Sequence, residues 1–192
     1  MNDSNILDIP KIHPIIERKS EEIGFTMPSD LYIGTLLKTL IASKPRGRFL
    51  ELGTGIGLSL SWMTDGMDIH SSIITLDNDK KLIDIAKKNF KDDERIKFVY
   101  ADGAEWIKNY DGDKFDLIFA DAWPGKYGEL DETIDLLKIG GFYIIDDMTA
   151  QPNWPAGHQN NVDGLIEDLE SRVNLTLTKI NWSTGLIIAV KK

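Results

Sequence analysis

Apolar residues along the chain come in two patterns: short unbroken runs, and stretches where they recur every three to four positions. Five runs, Arg48–Leu52, Ser72–Leu76, Ile96–Tyr100, Phe115–Ala120 and Phe142–Ile145, each end in acidic or glycine residues and predict buried strands. Helical spacing fills the intervals. It is plainest over Lys80–Lys91, where Leu82, Ile85, Ala86 and Phe90 mark one side. Lys80, Lys81, Lys87, Lys88 and Lys91 fall mostly on the other side and read as a solvated face rather than a nucleic-acid patch. Two helices are expected before the first strand. One runs from Ile12 to Ile23; the second starts at Pro28-Ser29-Asp30, runs through Leu31, Leu36, Leu37 and Leu40, and stops at Lys44-Pro45.

The tail changes rhythm. After a helix near Val162–Ser171 come two strand-like runs, Leu175–Trp182 and Leu186–Val190, separated by Ser183-Thr184-Gly185. That connection is too short for a crossover helix, so the pair is expected to form an antiparallel hairpin. Together these elements predict an α/β fold. Five strands joined by parallel crossovers, plus the hairpin, make a seven-stranded mixed sheet with helices on both faces. No repeat or linker divides the chain, so residues 1–192 are expected to form one domain, with helices over 1–45 and the core over 46–192.

Composition narrows the chemistry. In 192 residues, 22 Lys and Arg stand against 31 Asp and Glu, a formal charge of −9. That balance argues against a nucleic acid or an anionic membrane as the main partner. The absence of cysteine excludes disulfides, zinc–thiolate centres and cysteine nucleophiles. The N-terminal residues have no basic segment followed by an apolar run, and the apolar stretch Leu31–Ala42 is interrupted by Lys38 and too short for a membrane span. A cytoplasmic protein is the expectation.

The most informative segment is Glu51-Leu52-Gly53-Thr54-Gly55-Ile56-Gly57-Leu58-Ser59, where a strand enters a loop with glycine at every second position and a helix begins just beyond. Glycines permit a sharp turn and close approach of a ligand, and the following helix N-terminus offers free N–H groups to an anionic group. A dinucleotide fingerprint needs G-x-G-x-x-G/A, and a phosphate loop needs Gly-Lys followed by Ser or Thr; neither is present. Asp77 follows Gly53 by 24 residues at the end of the second strand, where a carboxylate can accept hydrogen bonds from both hydroxyls of a ribose. Asp102 ends the third strand within Val99-Tyr100-Ala101-Asp102-Gly103-Ala104.

The glycine register resembles the E/D-x-G-x-G-x-G motif of class I S-adenosylmethionine-dependent methyltransferases, which have a Rossmann-like fold. Met27-Pro28-Ser29, Ile33-Gly34-Thr35-Leu36-Leu37 and the loop itself are similar to the opening of the catechol and caffeoyl-CoA O-methyltransferase-like group. The resemblance implies S-adenosylmethionine binding by Glu51, Gly53, Thr54, Gly55, Gly57 and Ser59, with Ser59 near the methionine carboxylate. It further implies roles for Asp77 with Asn78, for Asp102, Gly103 and Ala104 beside the adenine, and for Asp121 and Trp123. In metal-dependent members of that group, the aspartate ending the fourth strand and the pair ending the fifth bind Mg²⁺ or a similar divalent ion. Here those positions are Asp121, Asp146 and Asp147. Oxygen-only ligands suit such an ion, which would lower the pKa of a substrate hydroxyl.

Two departures stand out. The lysine that the group carries three residues after the fourth-strand aspartate is replaced by Pro124, with Lys126 two positions further on. The segment Met148–His158, with two prolines and Trp154, has the composition of a substrate lid. His158 in it is a candidate general base in place of the lysine, and Asp121 a second catalytic candidate. His13 and His70 receive no role. The expected reaction is in-line attack on the sulfonium methyl by a hydroxyl oxygen of a small-molecule acceptor, the protein supplying alignment and water exclusion. Alternatives are a tRNA-modifying methyltransferase, against which the charge counts, and a non-catalytic S-adenosylmethionine-binding protein. The first helices often form dimer contacts in similar proteins, which makes a homodimer an expectation by analogy.

Overall fold

The computed structural model describes residues 2–152 and 154–192. The seven strands form one mixed sheet in the order β3-β2-β1-β4-β5-β7-β6, the α/β architecture expected from the apolar runs. The chain divides into two compact units, Met1–Ala101 and Asp102–Lys192.

In the first unit, Pro14 in the opening turn starts α1 (His13–Ile23), and Gly24 at φ +65° closes it. Helix α2 (Leu31–Ala42) begins where the Ile33 N–H donates to the Asp30 carboxylate at 3.0 Å. Its Gly34 lets Trp62 of α3 (Leu58–Gly66) lie directly on the backbone, since a Cβ there would fall 2.4 Å from the indole. Strands β1 (Arg48–Leu52), β2 (Ser72–Asp77) and β3 (Ile96–Tyr100) pair in parallel, with β2 central among them. β1 and β2 are almost wholly buried, as strands covered on both sides must be. Helix α4 (Lys80–Asn89) is capped by Asp79, which accepts from the N–H groups of Lys81 and Leu82. It buries Ile83 and Ala86 and leaves the lysines exposed, so the face predicted to be solvated is solvated.

The second unit holds α5 (Gly103–Asn109), β4 (Phe115–Ala120), α6 (Leu130–Asp135), β5 (Leu137–Ile145), α7 (His158–Ser171), β6 (Leu175–Ile180) and β7 (Leu186–Lys191). β4 and β5 are parallel, β5 and β7 antiparallel, and β6 and β7 form the expected hairpin. Strand β5 starts five residues before the predicted Phe142. Phe115 pairs with Leu137 and Leu117 with Phe142, so the extra residues of β5 bulge out. Gly141 makes this possible, since a Cβ there would lie 2.8 Å from the Lys138 carbonyl oxygen. Helix α7 begins at His158 rather than near Val162, and the short α5 and α6 carry too few turns to show a period in the sequence. Among the described residues, no helix is long and apolar enough to cross a membrane.

Candidate functional site

In the first unit the glycine loop is organised around one buried acid. Glu51, one residue before the end of β1, is fully buried, and its parallel neighbour on β2 is Thr75. The Ser59 hydroxyl donates to Glu51 Oε1 at 2.6 Å, and the Thr75 hydroxyl donates to Oε2 at 2.5 Å. Thr75 has spent its one proton, so the Thr54 hydroxyl, 2.6 Å away, is the donor to Thr75 Oγ1. One carboxylate thus ties the strand before the loop, the loop itself and the first turn of the helix after it. Burial pushes the Glu51 carboxyl up to about 7; the hydroxyls of Ser59 and Thr75 oppose that rise and the charge of Asp77 adds to it.

Asp77 fixes the loop from the other side. Its Oδ2 accepts from the Gly55 N–H and its Oδ1 from the Asp79 N–H, both at 2.8 Å. The N–H groups of Gly53 and Thr54 donate to the Leu76 carbonyl. Gly53, Gly55 and Gly57 all have positive φ, at 101°, 50° and 95°. Phe25, from the segment between α1 and α2, lies over Gly55, with its ring 3.1 Å from where a Cβ would stand. Helix α3 has no side-chain cap at its N-terminus, which leaves its first-turn N–H groups without that partner. Asn78 is exposed in the turn after Asp77.

In the second unit Asp102 caps α5 by accepting from the Glu105 N–H at 3.0 Å, and Gly103 and Ala104 form its first turn. Asp121 follows β4, half-buried, and Trp123 is 55% exposed. The turn after it is stitched by the Gly125 N–H donating to the Gly128 carbonyl at 2.8 Å and the Tyr127 N–H to the Trp123 carbonyl at 3.0 Å. That turn sets an aromatic group. Trp123 and Tyr127 have ring centroids 4.8 Å apart, Tyr127 and His158 5.2 Å, and Trp154 and His158 4.5 Å. Tyr127 Oη and His158 Nε2 are 3.3 Å apart. Burial, with the charge of Asp147 adding to it, pushes the Tyr127 hydroxyl up to about 12, so at neutral pH it keeps its proton and has one to donate.

The expected divalent-ion site does not have this form. Asp146 is buried, and its Oδ1 accepts from both the Thr184 hydroxyl at 2.6 Å and the Asp147 N–H at 2.7 Å. Burial raises its carboxyl pKa, with the Asp147 charge adding to the rise. Asp147 sits at φ +57°. Among the described residues, no group of three or more His, Asp or Glu is arranged to hold a metal, so Asp121, Asp146 and Asp147 do not fit the ion the resemblance implied. Two internal hydrogen bonds occupy Oδ1 of the carboxylate that would lead such a site. Asn153 of the expected lid lies outside the described residues; Trp154 and His158 of that segment join the aromatic group.

Sequence reasoning singled out Glu51, Ser59, Asp77, Trp123, Trp154 and His158, but not Thr75 or Tyr127. A lone threonine in an otherwise aliphatic strand, and an aromatic four residues after Trp123, are the signals that could have found them.

Against known proteins, the sequence pattern described as O-methyltransferase matches residues 15–170. A Mycobacterium leprae protein, provisionally named an O-methyltransferase, is 24% identical over 184 residues, covering 91% of this chain and 82% of its own. The O-methyltransferase of Bacillus cereus in complex with S-adenosylhomocysteine superposes with a TM-score of 0.83 at 20% identity, over 98% of this chain and 94% of that one. Streptomyces achromogenes TomG, an O-methyltransferase of tomaymycin synthesis in complex with S-adenosylmethionine, gives 0.84 at 19% identity, over 98% and 92%. At such identities these structures speak for the fold.

Proposed function

The chain belongs to the O-methyltransferase family, and we propose that it catalyses S-adenosylmethionine-dependent methylation of a hydroxyl oxygen on a small molecule, with residues 1–192 serving as one methyltransferase domain. The observation that carries the cofactor reading is the Glu51–Ser59–Thr75 network holding the glycine loop open-backboned beside an uncapped helix start. Two proteins of the same fold carry S-adenosylmethionine or its demethylated product in their structures, which supports the same ligand here.

When bound, that cofactor supplies an electrophilic methyl on a sulfonium. In this reading the loop Gly53, Thr54, Gly55 and Gly57 gives backbone room to the methionyl part, and the first turn of α3 meets its carboxylate. Glu51 and Ser59 act by holding the loop, since their polar groups bond each other. Asp77, with Asn78 beside it, receives the ribose hydroxyls; each Asp77 oxygen accepts one N–H and has capacity for a second donor. Asp102, Gly103 and Ala104 serve the adenine side, and Asp121 and Trp123 complete the cofactor contacts.

For the acceptor, Trp123, Tyr127, Trp154 and His158 offer ring faces to a flat molecule. Proton removal falls to the Tyr127–His158 pair. The acceptor hydroxyl passes its proton to Tyr127 Oη as Tyr127 gives its own to His158 Nε2, and the imidazolium returns it to water. Asp121 is the second candidate to orient that hydroxyl.

Calorimetric titration with S-adenosylmethionine and with NAD, followed by labelled methyl transfer to a phenol panel, tests the reading. Binding of the former alone and label in an alkali-stable ether are expected. NAD binding without S-adenosylmethionine binding, or label confined to nitrogen, would overturn it.

A further inference from the structure

Lys126 is only 5% exposed, and its Nζ donates to the main-chain carbonyl of Asp146 at 2.6 Å. A buried ammonium is costly unless oxygen atoms and a negative charge compensate it. Here the carbonyl supplies one oxygen, the Asp146 carboxyl feels the ammonium's attraction, and the Tyr127 ring lies 5.5 Å from Nζ. The path that brings Lys126 inward is fixed by local chemistry. Pro124 forms a bridge with Gly128, Gly125 turns at φ +85°, and the Lys126 N–H donates to the Trp123 carbonyl at 3.2 Å. Pro124 stands where the resembling group has its lysine, and the positive charge arrives from two residues later.

We propose that the Lys126 ammonium is the built-in cation of the Asp146–Asp147 corner, a positioning group that replaces a divalent ion there. The fixed charge has three consequences. It lowers the cost of ionising the buried Asp146 carboxyl, it ties the Trp123–Gly128 turn to that strand end, and it repels a second cation from the same place. This corner therefore needs no metal, in line with the disagreement between its carboxylates and a divalent-ion site. The inference rests on the structure of the second unit and is independent of whether the chain methylates oxygen.

The test uses Mn²⁺ and the full chain, with readouts that need no turnover. For the unmodified protein, the electron paramagnetic resonance signal of Mn²⁺ is expected to stay that of the free ion, and the thermal midpoint to be equal in Mn²⁺ and in chelator. Lys126→Met is expected to lower that midpoint by roughly 5–15 °C. The loss should shrink when Asp146→Asn is present too, because the two groups compensate each other. Lys126→Arg, which keeps the charge, should retain more of the midpoint than Lys126→Met. Mn²⁺ binding by the unmodified protein that disappears in Asp147→Asn would overturn the proposal, and so would an unchanged midpoint in Lys126→Met. The Mn²⁺ measurement on the unmodified chain decides the matter if Lys126→Met does not fold.

Discussion

The Ser59 hydroxyl donates to Glu51 Oε1 over 2.6 Å, fastening the first turn of the helix after the glycine loop to the strand before it. Since Thr75 does the same at Oε2, an acid with no exposure to water becomes the anchor of the loop. Its hydrogen bonds favour the charged form and burial opposes it, and burial wins.

Stability should therefore depend on pH through Glu51. Its carboxyl rises from 4.5 to about 7 on folding, so across that window the native state keeps a proton that the unfolded chain has released. The unfolding free energy should fall as pH rises through this range and level off above it, a loss of about 3 kcal/mol. Glu51→Gln, neutral at every pH, should remove the Glu51 part of that slope, leave the part from the raised Asp146 carboxyl, and be relatively more stable in alkali. Urea titrations of both proteins across the window check this; an unchanged slope in Glu51→Gln would remove Glu51 as its source.

Gly57→Ala should be destabilising by about 1–3 kcal/mol, because φ is +95° and the new Cβ would stand 2.8 Å from the Phe90 ring. Gly128→Ala is the control. A Cβ there meets nothing within 4 Å, and it should leave stability within about 1 kcal/mol of the parent. Equal denaturation midpoints for the two variants would contradict the strain argument.

How much of this was open to a reader of the sequence differs by scale. Short unbroken apolar runs gave away the strands because a buried parallel sheet tolerates few other residues. The start of β5 was hidden because Gly140-Gly141 reads as a stop, whereas it is where the strand bulges. Asp77 was legible from its place after a strand. Thr75 was not: its importance comes from the register that sets it beside Glu51. Lys126 was equally opaque, since its reach to Asp146 depends on the path of a short turn.

If Tyr127 and His158 move the acceptor's proton together, their variants should differ in kind. His158→Ala should lower kcat/KM by roughly 10²–10⁴ and flatten the acidic limb of the pH–rate profile. Tyr127→Phe removes the hydroxyl that relays the proton but leaves the imidazole, so a loss of comparable size with the acidic limb displaced rather than flattened is expected. Profiles that coincide with the parent's in both variants would assign the two side chains to packing.

Gly34 separates helix propensity from packing. In a helix interior, Gly→Ala ordinarily gains about 0.8–1.0 kcal/mol. Here the added Cβ would fall 2.4 Å from an indole that is 1% exposed and has the His13 ring edge-on at 5.6 Å, so the indole has no room to retreat. Overpacking should win, making Gly34→Ala destabilising by about 1–3 kcal/mol. Trp62→Phe alone should also destabilise, by leaving a cavity. Combined, the smaller ring should make room for the methyl, so the double variant should lose less than the sum of the two single losses, with a coupling of about 1 kcal/mol or more. The measurement is a double-variant cycle by urea denaturation. A net gain in stability from Gly34→Ala alone would mean that α2 shifts away from Trp62, and that the close approach is not required by the fold.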